Sequence, residues 1–306
     1  MTQKNLTVEQ ATKQFLKKAK AKVKESTYAR YSLICERHII PYFGDIGANQ
    51  LNEKHINGFI QTKLKNGGLN NKPLSPKTVN DMVRLLLQVI KKHSKQNMEI
   101  KMPCSTPKEV NVFTETEYDT LKSYVSNGTD NKKLGIIVVM LTGIRIGELC
   151  ALKWEDIDLE NKIISINKTM QRIKVTDPTE KRKTKIIIDV PKSSKSVRII
   201  PIHSNLLEKL NERELPTTGD TYLLTNTKKY VEPRVYQKDF KSYLRACEIR
   251  DNNFHALRHT FATRAISKAM DIKTLSSLLG HSDVSFTMKR YVHPNIEHKR
   301  VQIEKL

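Results

Sequence analysis

From Lys101 to Asn111 the chain is polar, contains Pro103 and Pro107 and keeps no apolar period, while the patterns on its two sides belong to different kinds of fold. Such a stretch reads as a linker between a first domain over residues 1–100 and a second over 112–306. At 306 residues the chain also exceeds the usual single-domain size, so two separate cores are expected.

The first hundred residues read as helices. Thr7-x-x-Gln10 has the form of a capping box, and Val8, Ala11, Phe15, Ala19 and Val23 then recur at helical spacing. A second helix is expected from about Ser26 until Pro41 stops it, burying Tyr28, Tyr31, Ile34 and Ile39. A third follows Leu51-Asn52 with Ile56, Phe59, Ile60 and Leu64 as its stripe. A fourth starts at Ser75-Pro76, an N-cap and an N1 proline, and runs to about Lys91. Together they make a small bundle.

Beyond the linker, Thr114-x-x-Glu117 is another capping box, and a buried helix over about Leu134 to Leu141 leads into Thr142-Gly143-Ile144-Arg145. β-Branched runs at Ile163–Ile166, Lys185–Val190 and Val197–Ile202 predict a small antiparallel sheet inserted among helices. Met170 to Thr184 is dense in charge and contains Asp177-Pro178, which suggests an extended hairpin tip or loop. The fold class is therefore mainly α with a small antiparallel β-sheet.

Charge narrows the partner. Lys and Arg total 54 against 32 acidic residues, a formal net charge of +22, which points to a polyanion: nucleic acid first, an anionic membrane second. Residues 1–110 hold 20 basic and 8 acidic side chains, so the bundle reads as a surface for phosphates, which give affinity without sequence choice. Apolar runs such as Leu85–Ile90 are far too short to span a bilayer, and Met-Thr-Gln-Lys lacks the apolar core of a signal peptide. Cys35, Cys104, Cys150 and Cys247 are scattered without a C-x-x-C pair, which argues against zinc or a disulfide framework and fits a reducing cytoplasm.

The chemistry concentrates near the C-terminus, in His255-Ala256-Leu257-Arg258-His259-Thr260, Leu279-Gly280-His281 and Arg290-Tyr291. Imidazoles and a guanidinium suit a pentacovalent phosphate, and a tyrosine hydroxyl can attack phosphorus. His255 and Arg258 lie three apart and share a helical face, whereas His259 falls one position round and is expected to pack or cap. A tyrosine of ordinary pKa, about 10, is a poor nucleophile at neutral pH unless cations stabilise its phenolate. Neither a Gly-x-x-x-x-Gly-Lys-[Ser/Thr] loop nor a carboxylate cluster suited to two Mg²⁺ ions is present.

These phrases, with Thr-Gly-Ile-Arg-Ile-Gly-Glu-Leu around Arg145 and Pro-Lys-Ser-Ser-Lys-Ser-Val-Arg-Ile-Ile-Pro around Lys192, resemble the tyrosine recombinases of the phage-integrase type, whose pattern is Arg…Lys…His-x-x-Arg…His…Tyr. Ile39-Ile40-Pro41-Tyr42-Phe43-Gly44 and Leu74-Ser75-x-x-Thr78 are similar to the core-binding domain of that family. The resemblance implies a C-shaped DNA clamp made of a helical core-binding domain and a catalytic domain. The catalytic set it implies is Arg145, Lys192, His255, Arg258, His281 and Tyr291, with Lys195 the close competitor of Lys192 and Glu148 a packing and orienting group.

By the same resemblance, Tyr291 attacks a scissile phosphate to leave a 3′-phosphotyrosyl link and a free 5′ hydroxyl. Arg145, Arg258 and the two histidines offset charge on the nonbridging oxygens, Lys192 is the general acid and His255 assists proton movement. The covalent link retains the bond energy, so no ATP, metal or other cofactor is implied. The implied partners are double-stranded recombination sites, three further copies of the chain in a synaptic tetramer and, for direction, an accessory factor; the implied location is the nucleoid of a bacterial cytoplasm. Residues after about 294, with Ile296, Val301, Ile303 and Leu306, read either as a tail docking on a neighbour or as a frayed end.

The expected activity is integration and excision of a mobile element. Xer-type dimer resolution, a type IB topoisomerase and a DNA-binding protein that has lost cleavage are the other readings. Larger integrases also carry an arm-binding domain ahead of the bundle, and here the sequence opens directly in the bundle.

Overall fold

The computed structural model describes residues 6–93, 98–104, 110–177, 179–191, 194–291, 300 and 303–304. Its contacts gather the chain into two units: residues up to 108 with Ile173–Lys185, and 109–172 with 186–306.

In the first unit, α1 (Val8–Lys20) starts from the expected capping box: the Thr7 hydroxyl accepts from the Gln10 N–H, and the Gln10 side chain accepts in return from the Thr7 N–H. Helix α4 (Glu53–Asn66) is capped by Asn52, and α5 (Pro76–Ile90) by Ser75 with Pro76 at its first turn. Local chemistry set these three starts, because each cap satisfies backbone donors that the first helical turn leaves free. Val8, Ala11, Phe59, Ile56, Val83 and Leu86 meet in one core with Cys35 and Ile39.

The helix expected to end at Pro41 does not end there. Helix α2 (Glu25–Ile34) widens into a π-helical turn over Cys35–Ile39 and continues as α3 (Ile40–Phe43). The widened turn places the Ile40 N–H on the Cys35 carbonyl, so the ladder is already shifted where Pro41, lacking an N–H, enters the helix. Ala29, Cys35 and Ile39 are buried there, whereas Tyr28, Tyr31 and Ile34 remain half-buried.

In the second unit, α6 (Glu115–Ser126) begins from the Thr114–Glu117 capping box, and α7 (Asn131–Thr142) is the buried helix. A short α8 (Ile146–Ala151) follows. Strands β1 (Ile157–Asp158), β2 (Ile163–Ile166) and β5 (Arg198–Pro201) form an antiparallel sheet in the order β1-β2-β5, with Ile163 opposite Pro201 and Ile166 opposite Arg198. Ile164 and Ile200 are cross-strand partners, both buried, so the alternation along each strand puts one face into the core.

A separate two-stranded ribbon joins β3 (Thr169–Lys174) to β4 (Thr184–Asp189). The expected tip is thus shorter than 170–184, because β3 occupies its first part. Lys174 and Lys185, at the far end of the ribbon, pair with Glu36 and Glu25 inside the first unit. Helices α9 (Ser204–Asn211), α10 (Pro233–Ala246), α11 (His255–Ser267), α12 (Ile272–Leu279) and α13 (Val284–Tyr291) complete the second unit. Among the described residues no helix is long and apolar enough to cross a membrane.

Candidate active site

Two chain reversals carry the site. Helix α7 ends at Gly143, whose φ of 66° lies in the left-handed region, and a Cβ there would sit 2.5 Å from the Phe261 ring. Glycine is required twice over, by conformation and by space. The turn delivers Arg145 to the N-terminus of α8, where its guanidinium donates to Glu148 Oε1 at 2.7 Å and its backbone N–H to Oε2 at 2.9 Å. Gly280, with φ 64°, ends α12 in the same way and sends His281 out of the junction. The Gly280 carbonyl accepts a further bond from Arg145 at 3.3 Å.

Arg258, only 1 % exposed, ties these reversals together. It donates to the Gly143 carbonyl at 2.8 Å and the Leu279 carbonyl at 2.7 Å, and the second of these nitrogens also lies 2.9 Å from His281 Nε2. Burial, and then the charge of Arg145, push its pKa down to about 9. A buried guanidinium costs several kcal/mol unless its donors are met, and here they are met by neutral acceptors rather than by a carboxylate of its own.

Glu148 supplies the counter-charge. It is 2 % exposed and accepts from Arg198 at 2.9 and 3.2 Å as well as from Arg145. Burial raises its carboxyl pKa, but hydrogen bonding and charge from Arg198, with the charge of Arg145, hold it below the ordinary range. Two guanidinium groups therefore bond this one carboxylate and a third, Arg258, feels its charge, leaving an excess of positive charge that an incoming anion would neutralise.

A guanidinium has no acceptor, so His281 Nε2 must accept from Arg258; the proton then sits on Nδ1, which donates to Thr287 Oγ1 at 2.7 Å. Burial and then Arg258, Arg145 and Arg198 lower the His281 pKa to about 3, in keeping with a neutral ring. The motif has His281 donating to phosphate; in this geometry both of its nitrogens are already engaged. His255 opens α11 with an edge exposed to solvent, and desolvation by the surrounding protein followed by the charge of Arg258 brings its pKa to about 4.

Tyr291 ends the described part of α13. It is 8 % exposed and packs with Ala262, Ala265, Leu275 and Leu279. Burial raises its pKa and outweighs the opposing charges of Arg258, Arg290 and Arg145, so the hydroxyl keeps its proton and needs an acceptor for it. Its oxygen lies 2.6 Å from His259 Nδ1, so His259 neither caps the helix nor merely packs. His259 is four residues from His255, on its face of the helix, and the two rings meet edge to face at 4.6 Å, but no local pattern pairs His259 with Tyr291.

Arg145, Arg258, His281 and Tyr291 are thus brought together around the ends of α7, α12 and α13. Lys192 lies outside the described residues. Its competitor Lys195 is exposed and donates to the Ser282 carbonyl at 3.0 Å. Glu148 and Arg198 take a larger part than the motif suggested, since they hold Arg145 and the end of α12 through the Arg198 bond to the Leu278 carbonyl at 2.5 Å. Among the described residues no group of three or more His, Cys, Asp or Glu side chains could hold a metal ion.

Residues 111–298 match the model of the phage integrase family, and residues 7–64 that of the phage integrase N-terminal SAM-like domain. The XerC-like tyrosine recombinase of Caldanaerobacter subterraneus is 32 % identical over 213 residues, which are 65 % of this chain and 54 % of that protein. The ICEBs1 integrase of Bacillus subtilis is 23 % identical over 288 residues, 88 % of this chain and 74 % of the relative. The chain therefore spans about half the length of the first of these and about three quarters of the second.

Among solved structures, the Tn1549 transposon integrase in complex with a circular intermediate DNA gives a TM-score of 0.77 at 20 % identity, covering 98 % of this chain and 99 % of that one. The lambda integrase tetramer bound to a Holliday junction gives 0.68 at 17 % identity, with 96 % and 80 % covered. At these identities the likeness is one of fold.

Proposed function

Because the chain belongs to the phage integrase family, we propose that it is a site-specific DNA recombinase of a mobile genetic element, cutting and rejoining double-stranded DNA through a 3′-phosphotyrosyl intermediate. The observation that carries this reading is the cage itself: Arg145 and Arg198 on the carboxylate of Glu148, with Arg258 bridging the Gly143 and Leu279 carbonyls beside them and the Tyr291 hydroxyl within reach of its charge. An excess of fixed guanidinium charge in a partly buried junction suits a phosphodiester whose charge grows on the nonbridging oxygens in the transition state.

Tyr291 is the nucleophile. Arg145 and Arg258 bind the phosphate, His281 and His255 border it, and Lys192 gives its proton to the leaving 5′ oxygen. The basic bundle, with its share of the +22 net charge, holds the duplex through its backbone. Four copies act on two duplexes, and an accessory factor sets direction. A Xer-type resolution role is the second reading, favoured by the XerC-like relative.

A pool of nicked duplexes with a randomised core provides the test, since it presents the protein with every candidate site at once. The wild-type protein should yield adducts that survive denaturation, and Tyr291→Phe should yield none. Failure of the wild type to trap any duplex that it binds would overturn the reading. Strand joining between a recovered duplex and a second copy of it separates recombination from simple relaxation. A mobile element's integrase then accepts a second duplex of different flanking sequence, whereas a resolvase of dimers requires two like sites.

A further inference from the structure

The hydroxyl of Tyr291 has a partner outside the motif's catalytic set. His259 Nδ1 lies 2.6 Å from Tyr291 Oη, the two side chains are each 8 % exposed, and their rings are 5.6 Å apart. A neutral phenol has one proton to give; donated here, it fixes His259 with its own proton on Nε2 and a lone pair on Nδ1. The surroundings keep that ring neutral: burial, then His255, Arg290, Arg258 and His281, bring its pKa down to about 3. His255, to which the motif assigns help with proton movement, faces the His259 ring and keeps an edge in solvent.

We propose that His259 is the proton acceptor for Tyr291 in DNA cleavage, an assignment that rests on the recombinase reading above. The step balances. The Oη lone pair forms the O–P bond as the P–O5′ bond breaks, and the Tyr291 proton passes to His259 Nδ1. The electron pair of the broken bond stays on O5′, which takes a proton from the general acid. The phosphodiester carries one negative charge before and after. In resealing, the 5′ hydroxyl attacks phosphorus and gives its proton back to the deprotonated general acid, while the P–Oη bond breaks and the imidazolium returns its proton to Oη.

The weak basicity of the ring in the free protein does not oppose this role. Burial, the largest cause of the depression, remains, but a phosphate entering the cage brings negative charge beside the cations that add to it, so the proton affinity of His259 rises when substrate is present. The acceptor is strengthened by the reaction's own anion. A positioned proton acceptor is worth on the order of 10²–10⁴ in rate.

The test uses the full chain and a nicked duplex recovered from the randomised pool, with adduct formation followed in a single turnover. In His259→Asn the amide oxygen can hold the Tyr291 hydroxyl but takes no proton, so adduct formation should slow by about 100-fold or more while duplex retention in a gel shift is unchanged. His259→Ala should be slow as well, and added imidazole should restore part of its rate in proportion to the free-base fraction. Wild-type speed in His259→Asn, or no effect of imidazole on His259→Ala, overturns the assignment. If His259→Asn no longer retains duplex, the imidazole response of His259→Ala decides. Absence of adduct in the wild type overturns the recombinase reading itself, whereas a wild-type adduct with an unaffected His259→Asn overturns only the proton role.

Discussion

Replacing Glu148 with alanine tests whether its carboxylate is what allows three guanidinium groups to share one junction. Arg198 and Glu148 meet at 2.9 Å with side chains only 5 % and 2 % exposed, so solvent screens this pair little. Arg145 is 35 % exposed and its bond to Glu148 is correspondingly weaker in stability terms. Breaking one side of a buried pair costs about 3–5 kcal/mol, because the remaining charge is left without compensation. For a unit of this size each kcal/mol moves the melting point by about 2–4 °C, so Glu148→Ala should melt roughly 10 °C below the parent in calorimetry at neutral pH.

The pH dependence supplies a second signature. The folded pKa of Glu148 is lowered, so the unfolded chain binds its proton more readily, and stability linked to this group rises with pH. That contribution is fully present above the ordinary value of 4.5 and is lost as pH falls from there toward the lowered folded value. Glu148→Gln keeps hydrogen-bond acceptors but has nothing to titrate, so its stability should be flatter over the same window. An alanine variant within about 1 kcal/mol of the parent, or a glutamine variant with the parent's acid slope, would refute the reasoning.

Other outcomes follow from the same geometry. Gly143→Ala forces a side chain into a left-handed φ of 66° against Phe261 and should destabilise by more than about 1 kcal/mol in urea titration; a neutral effect would show that the turn relaxes freely. Arg258→Lys keeps a charge but loses the fork that reaches the Gly143 and Leu279 carbonyls, so adduct formation should fall by about 100-fold with little change in duplex retention; equal rates would show that the fork does not position the site. Binding of any duplex should weaken by on the order of 10³ between about 50 and 200 mM salt if about six or more phosphates are contacted, and a flat response in a fluorescence titration would argue against backbone contacts.

The parts of the fold that local chemistry decides were legible in the residues. Thr7, Ser75 and Thr114 each cap a helix at the expected place, because a cap needs only its own next three residues. Pro41 misled because the breaker rule assumes a regular ladder, and the π-turn at Cys35–Ile39 changes that ladder just before it. Strand β3 escaped because its buried residues, Met170 and Ile173, are three apart and sit among charges, which hides a strand's period of two.

The cage was legible as a set of residue types, since Arg145, Arg258, His281 and Tyr291 stand in recognisable phrases. Its wiring was not. Glu148 reaches Arg198 across 50 residues and His259 reaches Tyr291 across 32, so both contacts depend on how helices pack rather than on any local pattern.

The central claim is that Tyr291 forms the covalent bond to DNA. Trapping the wild-type protein on a nicked duplex from the randomised pool, digesting the adduct and locating the nucleotide-bearing peptide by mass spectrometry tests it most directly. The mass of a 3′-phosphonucleotide should fall on the peptide containing Tyr291, on that tyrosine. An adduct mapped to another residue, or no adduct on a duplex the protein holds, would contradict it.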